Sequence, residues 1–199
     1  MPFNINTFRS TALPFGGARP TYFDISLTPP AGIGKGVDTT KKLSVVAQSS
    51  QLPPMTLGQI EVPYFGRKIK LHGDRTYPDW TITIMNDEDF NVRSFFEHWS
   101  NEMNAIVSNR SGFGADPLAY KVDAIVNQYG KAGPNGDGGI IRSYKFVGAW
   151  PSTVSAINLD WNQTNTIETF DVTLTYDWWE PDNFGLGETY LPVLSNESV

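Results

Sequence analysis

Residues 166–178 read Thr-Ile-Glu-Thr-Phe-Asp-Val-Thr-Leu-Thr-Tyr-Asp-Trp, and this stretch decides the fold class. In an extended chain Phe170, Val172, Leu174, Tyr176 and Trp178 fall on one side. Thr169, Asp171, Thr173, Thr175 and Asp177 fall on the other. Such alternation marks a strand with one packed face and one wet face, as in antiparallel sheets. About a dozen residues is long beside the usual ~5–6. Long strands suit sheets that continue from one subunit into the next.

The same period of two recurs along the chain. Trp80-Thr81-Ile82-Thr83-Ile84 alternates cleanly, and further strands are expected at 21–27, 43–48, 118–126, 140–147 and 153–161. Residues 57–65 are extended, but Pro63 cannot donate to a ladder, so this piece is an edge or a projecting loop. Residues 28–42 and 130–139, rich in glycine and proline, read as loops. One segment changes period. Val92, Phe95, Phe96, Trp99, Met103 and Ile106 fall at helical spacing, and this is the single expected helix. Asn86 and Asp87 precede it as candidate caps, and Asp87, Glu88 and Asp89 suit its positive end. Residues 1–20 and 181–199 read as arms around a β domain spanning 21–180.

Composition agrees. The chain has 199 residues, 40% of them hydrophobic, with 6 Trp, 8 Tyr and 12 Phe, enough for a core. Its 18 Gly and 14 Pro imply many turns. There is no cysteine, hence no disulfide, thiolate metal site or cysteine nucleophile. The first ten residues lack the apolar run of a signal peptide, and no stretch reaches the ~20 apolar residues of a membrane span.

Charge is polarised. All 15 basic residues lie at or before Lys145, and Asp160, Glu168, Asp171, Asp177, Glu180, Asp182, Glu188 and Glu197 follow with no base among them. Such a segment does not grip nucleic acid. The basic run Arg67, Lys68, Lys70, Arg75 is a candidate subunit contact: acidic protein surface is preferred as its partner over bare solvent, and both over nucleic acid.

Signatures of chemistry are weak. His72 and His98 have no companion histidine at ligand spacing, and no Gly-x-Ser-x-Gly elbow exists. Gly32-Ile33-Gly34-Lys35-Gly36 lacks phosphate-loop spacing. Asn135-Gly136-Asp137-Gly138-Gly139 lacks the glutamate of a calcium loop. No catalytic residue, metal or cofactor is expected. The rival is a carbohydrate-active β-sandwich using carboxylates, with Trp80, Trp99, Trp150, Trp161, Trp178 or Trp179 stacking on sugars. Most of these sit at alternating or helical apolar positions, which favours core packing.

One run of motifs is more specific. Residues 60–71 read Ile-Glu-Val-Pro-Tyr-Phe-Gly-Arg-Lys-Ile-Lys-Leu; Gly73-Asp74-Arg75-Thr76 follows, then Asp-Trp-Thr-Ile-Thr-Ile-Met-Asn-Asp-Glu-Asp-Phe at 79–90. Then come Phe95-Phe96-Glu97-His98-Trp99, Phe146-Val147-Gly148-Ala149-Trp150-Pro151 and Tyr176-Asp177-Trp178-Trp179. The order resembles the tail tube proteins of contractile-tailed bacteriophages, from about residue 19 to 180. The resemblance implies a mainly β fold: two packed antiparallel sheets, sandwich- or barrel-like, flanked by one α-helix. It implies six subunits per ring, sheets joining between subunits into a barrel, and rings stacked into a tube. Implied partners are other copies of the chain, the tail sheath, baseplate and tape-measure proteins, and DNA passing through without specific binding. There is no implied membrane insertion. The implied location is the virion, after assembly in the host cytoplasm. The inner tube of a type VI secretion or phage-derived injection system is the alternative. Within this reading Thr169, Asp171, Thr173 and Thr175 are the candidate channel lining.

Overall fold

A computed structural model describes residues 4–13, 17–33, 36–114, 116, 118–131 and 139–182. The helices are α1 Ile5–Ala12, α2 Gly36–Val46 and α3 Asn91–Met103. The strands are β1 Phe23–Leu27, β2 Ala47–Ser50, β3 Thr56–Tyr64, β4 Arg67–Thr76, β5 Trp80–Met85, β6 Val122–Tyr129, β7 Ile140–Val154, β8 Thr169–Thr175 and β9 Trp178–Asp182. The protein is mainly β, with two antiparallel sheets. One has seven strands in the order β1-β6-β7-β8-β5-β2, with β9 against β7; the other is the β3–β4 hairpin.

The chain divides into two compact units. The smaller comprises residues 1–24, 125–145 and 180–199; the larger comprises 25–124 and 146–179. In the smaller unit residues 5–11 of α1 are exposed, and the Asn4 side chain caps the helix by accepting from the amides of Asn6 and Thr7 at 3.0 and 3.4 Å. The expected N-terminal arm therefore contains a capped helical turn pair. Residues 183–199, the other expected arm, and most of the glycine-rich segment around residue 135 lie outside the described residues.

The larger unit holds the core. In the antiparallel β5–β8 pair, Trp80, Ile82 and Ile84 face the same side as Phe170, Val172 and Leu174, and all six are buried. Each contributes about 1.5–3 kcal/mol through burial. Trp80 stacks on Phe146, and its indole N–H donates to Ser50 Oγ at 2.8 Å. α3 covers this side. Val92, Phe95, Phe96 and Trp99 are buried, and the Arg93 guanidinium lies 5.3 Å from the centre of the Phe170 ring. Ile106, expected on the same stripe, stands beyond the helix end and is exposed.

Several sequence expectations are corrected. Among the described residues there are three helices. Residues 36–46 form α2 where a loop and a strand were expected, because Thr39, Thr40 and Leu43 turn a buried stripe while Val45 points out. Residues 140–147 extend through Pro151 into one 15-residue strand, β7, with a register shift between Pro151 and Thr153. Residues 155–168 are then loop and no strand. β8 is 7 residues long and stops before Tyr176, whose hydroxyl is held by the Pro78 carbonyl at 2.7 Å. Asn86 and Asp87 do not cap α3. Asn86 donates to Glu168, and Asp87 pairs with Lys42. A turn closed by the Phe90 amide on the Asp87 carbonyl delays the helix start to Asn91, whose amide Asp89 then receives at 3.1 Å.

Candidate assembly and channel surfaces

The side of β5–β8 opposite α3 is built mostly from short polar side chains, with Met85 at one end. Partners in an antiparallel ladder share a face. Register therefore places Ser49, Thr83 and Asp171 in one row, and Thr81, Thr173 and Thr153 in the next. The Thr83 hydroxyl donates to Asp171 Oδ1 at 2.7 Å. The Thr81 and Thr173 hydroxyls lie 3.3 Å apart, and Thr175 Oγ1 donates to Asp79 Oδ1 at 3.0 Å. Thr169 closes the ladder opposite Met85. Thr169, Asp171, Thr173 and Thr175 are thus brought onto one face; the first two are exposed and the last two half-buried. No lysine or arginine stands in these rows. Reading β8 alone missed Ser49, Thr81 and Thr83; the alternation at 80–84 was the signal for the two threonines, and Ser49 is placed by its pairing with Thr83.

Two groups at the end of this face are fixed. Burial, with Asp79 and Tyr77 adding, pushes the Tyr176 hydroxyl up to about 12. Asp177, expected to continue the polar face, instead receives the Lys121 ammonium at 2.7 Å. Gly148 makes room for it. Gly148 has φ +69°, and a Cβ there would collide with Asp177 Oδ2.

The basic residues lie on the second sheet. β3 and β4 pair as a hairpin turning at Phe65-Gly66, with Tyr64 opposite Arg67, Pro63 opposite Lys68, Glu61 opposite Lys70 and Leu57 opposite Arg75. Arg67, Lys68, Lys70 and Arg75 are therefore brought together on one hairpin. Glu61 takes the Lys68 ammonium, and Arg75 reaches Met55. The hairpin is amphipathic. Ile60, Val62, Tyr64, Ile69 and Leu71 share the face opposite Glu61 and Lys68, and all are exposed. Among the described residues no group of three or more His, Asp and Glu could hold a metal ion, and no helix is long and apolar enough to cross a membrane.

The sequence profile of the phage tail tube protein family matches residues 18–181, which include both surfaces. This chain belongs to the phage tail tube protein family. The tail tube protein gp19 of Enterobacteria phage T4 is 37% identical over 133 residues, 67% of this chain and 78% of that protein. The tail tube protein of Serratia phage KSP90 is 24% identical over 86% of this chain and 93% of that one. The fold is shared with solved injection-system structures. A chain of the anti-feeding prophage cap, the tube-terminating cap, superposes with a TM-score of 0.58 at 18% identity, covering 83% of this chain and 91% of that one. A chain of the PVC sheath–tube complex in its extended state gives 0.56 at 14% identity, covering 90% and 98%. As a tail tube subunit the chain is a structural component of the virion, the inner tube of a contractile tail.

Proposed function

We propose that six copies of this subunit close into a ring, that rings stack into a tube, and that the Thr/Asp face of β5–β8 lines a channel through which DNA passes. The observation that carries the reading is that face itself: hydroxyls and one carboxylate in cross-strand rows, free of lysine and arginine, backed by a buried apolar side under α3. DNA carries one negative charge per ~1.7 Å of axis, and every basic contact must break as it slides. A wall of short neutral and acidic groups conducts where a basic wall would hold. Joining sheets between copies also removes exposed strand edges.

In this reading the subunit is assembled in the host cytoplasm, meets the sheath on its outside, the baseplate at one end and the tape-measure protein within, and performs no catalysis. The PVC relative's structure contains both sheath and tube, which supports the sheath contact. The phage relatives at 36–37% identity support a phage tail over an injection particle. Electron microscopy of the purified protein at rising concentration tests it. Six-fold rings or hollow tubes are expected; a monomer at every concentration and salt would overturn it.

A further inference from the structure

α1 has an apolar side that no described residue covers. Ile5, Phe8 and Arg9 share that side, at helical spacings of three and four. Ile5 and Phe8 are 66% and 57% exposed, and Leu13 just past the helix end is exposed as well. A helix of eight residues is marginal in water unless something packs on it. The Asn4 cap satisfies amides at one end and leaves the apolar side bare. The chain between α1 and β1 is nonetheless anchored in the smaller unit. The Gln128 side-chain amide donates to the Arg19 carbonyl at 3.4 Å, and the Tyr129 amide donates to the Tyr22 carbonyl at 2.9 Å.

We propose that α1 is the docking site for residues 183–199 of the same chain, whose apolar run Tyr190, Leu191, Val193 and Leu194 covers Ile5 and Phe8. Four observations select this occupant. α1 and residues 180–199 belong to the same compact unit. Both α1 and residues 183–199 lie outside the stretch that the tail tube family profile matches, 18–181, so the pair is present together beyond the shared fold. Their charges are complementary: residues 1–23 carry Arg9 and Arg19 and no acid, whereas residues 183–199 carry Glu188 and Glu197 and no base. Two α1 helices packed on each other would instead set Arg9 against Arg9. Reach is ample, because the chain leaves β9 at Asp182 within this unit. The 17 residues beyond it span up to about 55–60 Å when extended, against about 12 Å for the length of α1. The contact lies within one subunit and stands apart from the tube reading.

Hydrogen exchange of the α1 amides in the unassembled full-length chain tests this. Slowed exchange is expected, equal at every protein concentration. In the double variant Leu191→Ser/Leu194→Ser those amides should exchange at least about tenfold faster, with the unfolding midpoint of the chain unchanged. Equal exchange in parent and variant would overturn the contact. Protection that grows with protein concentration would also overturn it, and would assign the cover to a second copy. Should the midpoint of the variant fall as well, the absence of native cysteine supplies a second measurement. Phe8→Cys and Leu191→Cys are combined in one chain and oxidised mildly at low concentration. A disulfide within the monomer is expected. Disulfide-linked dimers alone, or no cross-link, would overturn the proposal.

Discussion

Thr83 and Asp171 face each other across the β5–β8 ladder, the hydroxyl donating to the carboxylate at 2.7 Å. Asp171 is exposed, so the bond contributes modestly, about 0.5–1.5 kcal/mol. Asp171→Lys should therefore leave the subunit folded and the apolar side intact, while placing one positive charge per subunit on the proposed channel wall. Tubes are expected to form, with slower genome ejection that recovers at higher salt. Failure to assemble, with normal ejection from any surviving tubes, would place Asp171 at a subunit contact.

Trp99 has no exposed surface, lies against Phe96, and donates its indole N–H to the Tyr120 carbonyl at 3.1 Å. Trp99→Ala removes the ring and orphans that carbonyl. A loss of about 3–5 kcal/mol is expected in denaturant unfolding of the unassembled subunit. Trp99→Phe should lose less, since it keeps most of the packing. A change near zero for Trp99→Ala would mean that α3 does not hold the core.

Lys42 on α2 bridges Asp87 and Asp89. Asp87, then Asp89, holds the ammonium above its ordinary pKa. Lys42, then the Asn91 amide, holds Asp89 below its own. A raised cation stabilises fully below its ordinary pKa of about 10.4 and ceases to as pH rises through the raised value. A lowered carboxylate stabilises above its ordinary pKa of about 3.9 and ceases to as pH falls through the lowered value. Attachment of α2 should be constant between these limits and loosen at both. Hydrogen exchange of the α2 amides, corrected for intrinsic rates, should show this, and Lys42→Met should abolish the pH dependence. Identical profiles for the two proteins would exclude the bridge as an anchor.

At Gly148 a side chain would meet two obstacles: the left-handed φ of +69° and the Asp177 carboxylate. The backbone strain alone amounts to about 1–2 kcal/mol. Gly148→Ala should lower the unfolding midpoint, and Asp177→Ala in the same chain should recover part of the loss. Strict additivity of the two changes would show that they do not communicate.

β5 and β8 were legible because alternation and burial coincide there, residue for residue. α2 was not. Leu43, Val45 and Val46 favour an extended chain locally, and the helix is fixed by packing on α3 and by Lys42 reaching Asp87 and Asp89, residues far away in sequence. Residues 157–161 alternate as a strand does, yet Leu159 and Trp161 are exposed, with no cover among the described residues. Alternation reports an apolar face without saying whether its cover lies in the same chain. The candidate channel face was half legible. Period two shows the polar side of β8 and of β5 separately, but joining them with β2 into one face needs the pairing register, which no local pattern encodes.

The β3–β4 hairpin has a further consequence. A two-stranded ribbon with both faces in water is marginally stable by itself. It would firm up only when another copy covers it, so that ordering the hairpin and adding a subunit are a single event. The first contact then carries the whole ordering cost, and each later one meets a hairpin already set in place. Growth of this kind starts reluctantly and proceeds readily. Solutions of the subunit should show a lag that a trace of preformed tube abolishes, which would let a phage keep a pool of free subunits until a baseplate supplies the seed.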